Sequence, residues 1–305
     1  MSNLSKYQGV FPAFYACYDE QGKVSVERTR AFAAYLIEKG VNGLYVGGSS
    51  GECIYQGVQE RKQLLEAVMD VAKGKVVVIA HVACNNTQDS MELAAHAESL
   101  GVDAIAAIPP IYFKLPEHAI AKYWNDISSA APNTDFIIYN IPVLAGVALT
   151  LPLLREMCKN PRVVGVKNSS MVSMDIQQFK SVGGENFVVF NGPDEQYIAG
   201  RVMGAVGGIG GTYATMPELF LRMEELVGQG DMKAAFAIQD RVNDIIITLC
   251  SAKGNMYAVN KAVIQKRTGL ALGSVRAPLA PLFEGDEAVV DKAAAMIDEA
   301  IAKFC

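Results

Sequence analysis

Val76-Val-Val-Ile-Ala-His-Val82 is an apolar run interrupted only by His81, and a stretch with helical spacing, Thr87–Ser99, follows it. A strand with one face in water alternates apolar and polar residues, whereas a strand covered on both faces reads as a continuous apolar run, the mark of a parallel sheet. The same pairing recurs along the chain. Runs at Gly9–Tyr15, Gly43–Val46, Ala104–Ile108, Phe136–Tyr139, Val163–Val166, Phe187–Phe190 and Val206–Ile209 complete the set. Between them lie helical stretches such as Val26–Lys39, Gln59–Ala72, His118–Ser129 and Pro152–Lys159. Most open on a polar cap or a proline and close near Gly, Asn or Pro. Thr150-Leu-Pro152 and Thr215-Met-Pro217 are two such starts, with proline in the first turn. Eight strand–helix units in roughly 230 residues predict an α/β fold, a (β/α)8 TIM barrel. A doubly wound open sheet is the alternative, but the first run is not followed by a G-x-G-x-x-G turn.

The strand runs stop after Gln229. Three helical stretches follow, Asp231–Ser251, Asn255–Arg267 and Asp286–Phe304. The expected organisation is therefore a barrel over 1–229 and a C-terminal three-helix extension over 230–305, packed on the barrel. Of the 305 residues 51% are hydrophobic and 19% charged, which excludes a disordered chain and supports a sizeable core. Lys+Arg number 27 against 32 Asp+Glu, a net charge of −5 without a basic cluster. Nucleic acid and anionic membrane surfaces are accordingly not expected as partners. No apolar run approaches the roughly 20 residues of a membrane span. Met1–Gly9 is polar and carries no signal-peptide core, so a cytoplasmic location is expected. The six cysteines are scattered without a C-x-x-C pair and, with only three histidines, offer no zinc-type spacing. Neither a metal nor another cofactor is expected.

Active sites of such barrels lie at the C-terminal ends of the strands and in the loops that follow. Those ends carry Gly47-Gly-Ser-Ser-Gly-Glu52, His81, Pro109-Pro-Ile-Tyr112, Tyr139-Asn-Ile-Pro142, Lys167, Asn191-Gly-Pro-Asp-Glu195 and Gly210-Gly-Thr-Tyr213. Lys167 follows Val163-Val-Gly-Val166 directly and so enters an apolar barrel mouth, where desolvation lowers the pKa of an amine and makes it a nucleophile toward ketones. On position alone it reads better as a strand-end lysine that snorkels to solvent or pairs with a carboxylate. Tyr139 is either a proton-transfer phenol or a buried structural tyrosine. The Gly47–Glu52 loop is either a cradle of N–H and hydroxyl donors for a small carboxylate or an ordinary βα turn. Taken as a set, amine, phenol and cradle are what a pyruvate-type Schiff-base enzyme needs. His81 has no assigned role, and His96, inside a helical stretch, reads as structural.

The segments Gly43-Leu-Tyr-Val-Gly-Gly-Ser-Ser-Gly-Glu52, Tyr139-Asn-Ile-Pro142 and Gly165-Val-Lys167, in this order and placement, carry a resemblance. The chain resembles the N-acetylneuraminate lyase and dihydrodipicolinate synthase family of class I aldolases, from Gly9-Val-Phe-Pro-Ala through Arg276-Ala-Pro-Leu279. Within it, Tyr139–Thr150 is similar to the lyase branch, since Val143–Val147 lacks the arginine that the synthase branch typically places there. The resemblance implies cleavage of N-acetylneuraminate to N-acetylmannosamine and pyruvate, with another 2-keto-3-deoxy sugar acid or the synthase reaction as alternatives. It implies that Lys167 forms the Schiff base and that Tyr139 relays the proton of the C4 hydroxyl. Tyr112 would orient Tyr139, within the chain or across a subunit boundary. Ser49 and Ser50 would hold the carboxylate, while Ser169, Gly192, Asp194 and Glu195 line the sugar end. It also implies a homotetramer. Three positions depart from the family pattern. Gly211 stands where the lyase branch usually has a serine, so backbone or water must supply that contact. Pro193 alters the sugar loop, and Ala16-Cys17 replaces the frequent Thr-Pro.

Overall fold

The apolar runs have no polar face to offer water, and the computed structural model, which describes residues 4–305, places them side by side in one parallel sheet. Residues 1–3, part of the expected barrel segment and of the stretch read as lacking a signal peptide, lie outside the described residues. Among the described residues the sheet has eight strands: β1 (Gly9–Pro12), β2 (Gly43–Val46), β3 (Val77–His81), β4 (Ala104–Ala107), β5 (Asp135–Asn140), β6 (Val163–Asn168), β7 (Val188–Asn191) and β8 (Gly207–Gly210). Each pairs in parallel with the next from β2 to β8, and β8 returns to β1 with Gly9 opposite Gly207. The seam between β1 and β2 is thinner. It includes an Ala13–Tyr45 bridge, the Asn42 N–H donating to the Val10 carbonyl (3.0 Å), the Val10 N–H donating to Asn42 Oδ1 (2.8 Å) and the Phe14 N–H donating to the Tyr45 carbonyl (2.9 Å). The TIM barrel predicted from the sequence is therefore present.

The helices are α1 (Val26–Glu38), α2 (Val58–Ala72), α3 (Thr87–Leu100), α4 (Glu117–Ser129), α5 (Pro142–Ala145), α6 (Leu151–Met157), α7 (Met174–Gly183), α8 (Tyr197–Val202), α9 (Pro217–Gln229), α10 (Met232–Leu249), α11 (Met256–Thr268) and α12 (Asp286–Phe304). Their ends follow local chemistry. Ser25, Asn86, Thr150 and Asp231 accept from the N–H three residues on, each worth about 1 kcal/mol. The first apolar run is longer than its strand. Beyond Pro12 the Ala13 and Phe14 amides donate to β8 and β2 respectively, and the chain leaves the ladder.

Three apolar layers hold the fold. Inside the barrel, Phe11, Tyr45, Ile79, Ala106, Ile137, Val164, Phe190 and Ile209 pack together. Tyr7 closes the base, its hydroxyl donating to the Asp103 carbonyl (2.9 Å) and hydrogen-bonded to the Asp135 carboxylate (2.8 Å). A second layer lies between the strands and their helices, with Leu36, Leu64, Ile105, Trp124 and Ile138. The third joins the extension to the barrel: Ile238, Val242, Ile245, Val259 and Ile297 share one core with Tyr197, Tyr213, Leu219 and Phe220. The tail is thus welded to α8 and α9 rather than hung from a linker.

Candidate active site

The register of the sheet decides which side chains meet. Lys167 on β6 stands opposite Tyr139 on β5 and Phe190 on β7, so amine and phenol emerge at one level of the barrel mouth. They open into a cavity of about 210 Å³ whose wall includes Ser49, Ser50, Tyr139, Lys167, Ser169, Gly192, Asp194, Glu195 and Gly211. Residues from five different strand ends and the loops after them converge there, which no single segment could arrange.

Lys167 is 4% exposed, and its Nζ lies 4.1 Å from the ring centroids of both Tyr45 and Tyr139. Burial brings its pKa down to about 7, against the opposing pull of the Asp194 charge and Cys53. Near neutral pH about half of the amine is therefore unprotonated and able to attack a carbonyl. Tyr139, 3% exposed, is pushed up to about 12 by burial, with hydrogen bonds from the Ser49 and Ser169 side chains pulling the other way. Its phenol is thus neutral and sits between two hydroxyls through which a proton can move. The Asn140 side chain donates to the Asn168 side chain (2.8 Å), and the Ser169 N–H donates to the Asn140 carbonyl (2.7 Å), fixing β5 against β6 under the site.

The two loops that face each other across the mouth are held separately. In the first, Gly47 takes φ 73°, the Cys53 N–H donates back to the Gly48 carbonyl (3.3 Å), and the Glu52 N–H donates to the Ser49 carbonyl (2.9 Å). In the second, Asp194 Oδ2 accepts from the Thr212 N–H (2.7 Å) and the Thr212 hydroxyl (2.6 Å), while Oδ1 lies against Gly210. Burial lifts the Asp194 carboxyl to about 6 in spite of those two bonds. Glu195, next along, is exposed at the rim. The arrangement can form an imine on the amine, move a proton at the phenol, hold a carboxylate on one side and bind hydroxyls on the other.

The Dihydrodipicolinate synthetase family model matches residues 6–297. The N-acetylneuraminate lyase of Mediterraneibacter gnavus is 62% identical over 304 residues, 100% of this chain and 96% of that protein. The N-acetylneuraminate lyase of Citrobacter koseri is 34% identical over 277 residues, covering 91% of this chain and 92% of that one. A solved structure described as the Ruminococcus gnavus sialic acid aldolase catalytic lysine mutant aligns with a TM-score of 0.99 at 61% identity, over 100% of both chains. The chain belongs to the dihydrodipicolinate synthetase family.

In this member of the dihydrodipicolinate synthetase family, one residue picked out from the sequence stands apart. Tyr112 is 90% exposed with φ 84°, and its ring meets Phe113 edge-on at 5.0 Å. It lines a different hollow of about 570 Å³, with Asn85 and Lys122, and a single chain does not bring it to Tyr139. That hollow is larger than the mouth cavity, and neither Lys167 nor Tyr139 lines it. His81 now has a place. It is buried, its Nδ1 is 2.9 Å from the Gly47 carbonyl, and its Nε2 accepts from the Ile108 N–H (3.4 Å), so Nδ1 carries the proton. Burial and the Arg61 charge drive its pKa well below the usual range; it braces the Gly47 turn as a neutral ring.

The sequence reading missed Tyr45, Ile246, Met256 and Tyr257. Tyr45 points inward from β2 and reads as strand core. The other three come from α10 and α11, and they close one side of the cavity. No local signal distinguishes a tail tyrosine that reaches an active site from one that packs in a core.

Proposed function

We propose that this chain is an N-acetylneuraminate lyase, a class I aldolase that cleaves N-acetylneuraminate reversibly to N-acetylmannosamine and pyruvate. The single observation behind its chemistry is the Lys167 amine, buried at the barrel mouth with its pKa drawn down to about 7. The catalytic lysine named for the 61% identical Ruminococcus gnavus aldolase supports that assignment. In this reading the neutral amine attacks the C2 ketone, water leaves, and a protonated imine forms. Tyr139 relays the C4 hydroxyl proton as the C3–C4 bond breaks, accepting it while its own phenolic proton passes to the flanking Ser49 and Ser169 hydroxyls, and the bonding pair flows into the imine to give an enamine. N-acetylmannosamine departs; protonation and hydrolysis of the enamine release pyruvate and restore Lys167.

Ser49 and Ser50 hold the keto-acid carboxylate, and Ser169, Gly192, Asp194, Glu195 and Gly211 line the sugar end. A pocket built to bond hydroxyls rejects substrates lacking them, because its own polar groups would be left unpaired. Tyr15 donates to the Gly211 carbonyl (2.6 Å), so this backbone is already positioned where the branch usually places a serine. The working form in this proposal is a cytoplasmic homotetramer in which the exposed Tyr112 turns toward a neighbouring copy; native mass and sedimentation measure that state directly.

The test is pyruvate release from N-acetylneuraminate by the purified protein, read through a coupled dehydrogenase, together with borohydride labelling in pyruvate. Release and a label on Lys167 are expected. A label without release would redirect the substrate to another 2-keto-3-deoxy sugar acid, a reading that Gly211 and Pro193 favour. Absence of any label would overturn the Schiff-base assignment.

A further inference from the structure

A buried ion pair ties the extension to the Gly47–Glu52 loop. Lys261 Nζ on α11 lies 2.6 Å from Glu52 Oε1, with both side chains at 1% exposure or less, and it also donates to the Ser274 carbonyl at 2.9 Å. The second oxygen, Glu52 Oε2, accepts from the Arg276 N–H at 2.8 Å. Tyr18 covers the pair, its ring centroid 4.7 Å from Lys261 Nζ. Glu52 closes the carboxylate loop with φ 56°, a backbone state that non-glycine side chains seldom adopt. One turn before Lys261, α11 carries Tyr257 into the cavity wall, where its phenol meets the Ser50 hydroxyl.

Burying two opposite charges rarely adds stability over an apolar pair, because desolvation offsets the attraction. What such a pair does supply is geometry, and here both carboxylate oxygens are committed to the tail. The loop that carries Ser49 and Ser50 is thereby tied at its far end to segments more than 200 residues away.

We propose that Glu52 and Lys261 are positioning residues for carboxylate recognition. The pair docks the Gly47–Glu52 loop on α11 so that the donors of Ser49, Ser50 and Tyr257 converge on one keto-acid carboxylate. The inference rests on the Schiff-base reading of Lys167 and deepens it: the tail selects the acid half of the substrate, whereas the Asp194 loop selects the sugar half.

The experiment separates carboxylate binding from amine chemistry with two probes, pyruvate and acetone. Both ketones condense with an amine to an imine and water, and borohydride reduces the imine to a stable secondary amine; acetone lacks the carboxylate. The variant is the double exchange Glu52→Gln with Lys261→Met, which leaves no unpaired buried charge, and the neutral hydrogen-bonding pair Glu52→Gln with Lys261→Gln serves if that variant does not fold. We expect the pyruvate concentration giving half-labelling of Lys167 to rise about tenfold or more, the scale of one lost charge-assisted contact, with acetone labelling unchanged. KM for the sugar acid should rise with it while kcat changes by less. A parallel loss of pyruvate and acetone labelling, or no change in either, would overturn the proposal. Wild-type protein that labels with neither ketone would instead strike at the Schiff-base reading itself.

Discussion

Lys167 Nζ lies as close to the face of Tyr45 as to that of Tyr139, 4.1 Å from each centroid. Two π faces favour a cation modestly. Desolvation outweighs them, and the amine titrates at about 7. Imine formation needs the unprotonated amine, so its rate should climb about tenfold between pH 6 and 8 and level off above. Stopped-flow trapping of pyruvate across that range checks it; a flat profile would contradict a free amine of pKa near 7.

The same shift bears on stability. Between pH 10.5 and about 7 an unfolded Lys167 holds a proton that the folded one has released, so its contribution to folding becomes less favourable as pH falls through that window. Lys167→Met should therefore raise the melting temperature at pH 7 while abolishing turnover and borohydride labelling. Calorimetry and peptide mapping read both; a label on another lysine would displace Lys167 from its role.

Tyr139→Phe keeps the ring against Lys167 and removes the hydroxyl between Ser49 and Ser169. The expected result is a fall in kcat of about 10²–10⁴-fold with imine formation still measurable, as for loss of a general acid–base group. Cleavage at the wild-type rate would remove Tyr139 from proton transfer.

Asp194 titrates at about 6 in the fold rather than 3.8, so the stability it contributes is complete below pH 3.8 and lost as pH rises through 6. In Asp194→Asn the side-chain carbonyl still accepts from Thr212, and the melting temperature above pH 6 should increase. KM for the sugar acid should rise about tenfold or more, the cost of one hydrogen bond to a charged group. Denaturation at pH 4 and pH 7, beside steady-state kinetics, checks both halves.

Neighbouring glycines should respond in opposite ways. A Cβ at Gly210 would overlap Asp194 Oδ1 and the Tyr213 ring, whereas one at Gly211 meets only the Ser50 hydroxyl, at 3.3 Å. Gly210→Ala should disrupt the sugar side and lose most activity. Gly211→Ser should fold normally and stay within about threefold of wild type, since a rotatable hydroxyl can give way. A reversed order would show that the β8 end is built differently.

The strands were legible because each is buried on both faces; Lys167 and Tyr139 stood out at the ends of such strands, but position alone favoured a structural reading and their expected roles came from the set and the family resemblance. Asp194 and the Ser49–Ser50 loop were legible as family motifs in the right order. Tyr45 was hidden because an inward-facing strand tyrosine looks the same whether it fills a core or flanks an amine. Tyr257 and Lys261 were hidden for another reason: their partners Ser50 and Glu52 lie on a distant loop, and no helical period encodes a contact over that separation. Tyr112 shows the converse limit, a residue singled out by resemblance whose ring one chain leaves facing outward.

The thin seam between β1 and β2 has a dynamic consequence. Sheet amides exchange with solvent through local openings, and these are most frequent where the fewest hydrogen bonds must break. With a single bridge and the few bonds around it at that junction, the barrel is expected to breathe beside Tyr45, whose ring faces the amine. The clasp that limits it is outside the sheet. Tyr15, just past β1, is tied to Gly211, and Glu52, just past β2, is tied to Lys261, so deuterium uptake at the seam reports on the tail as much as on the strands.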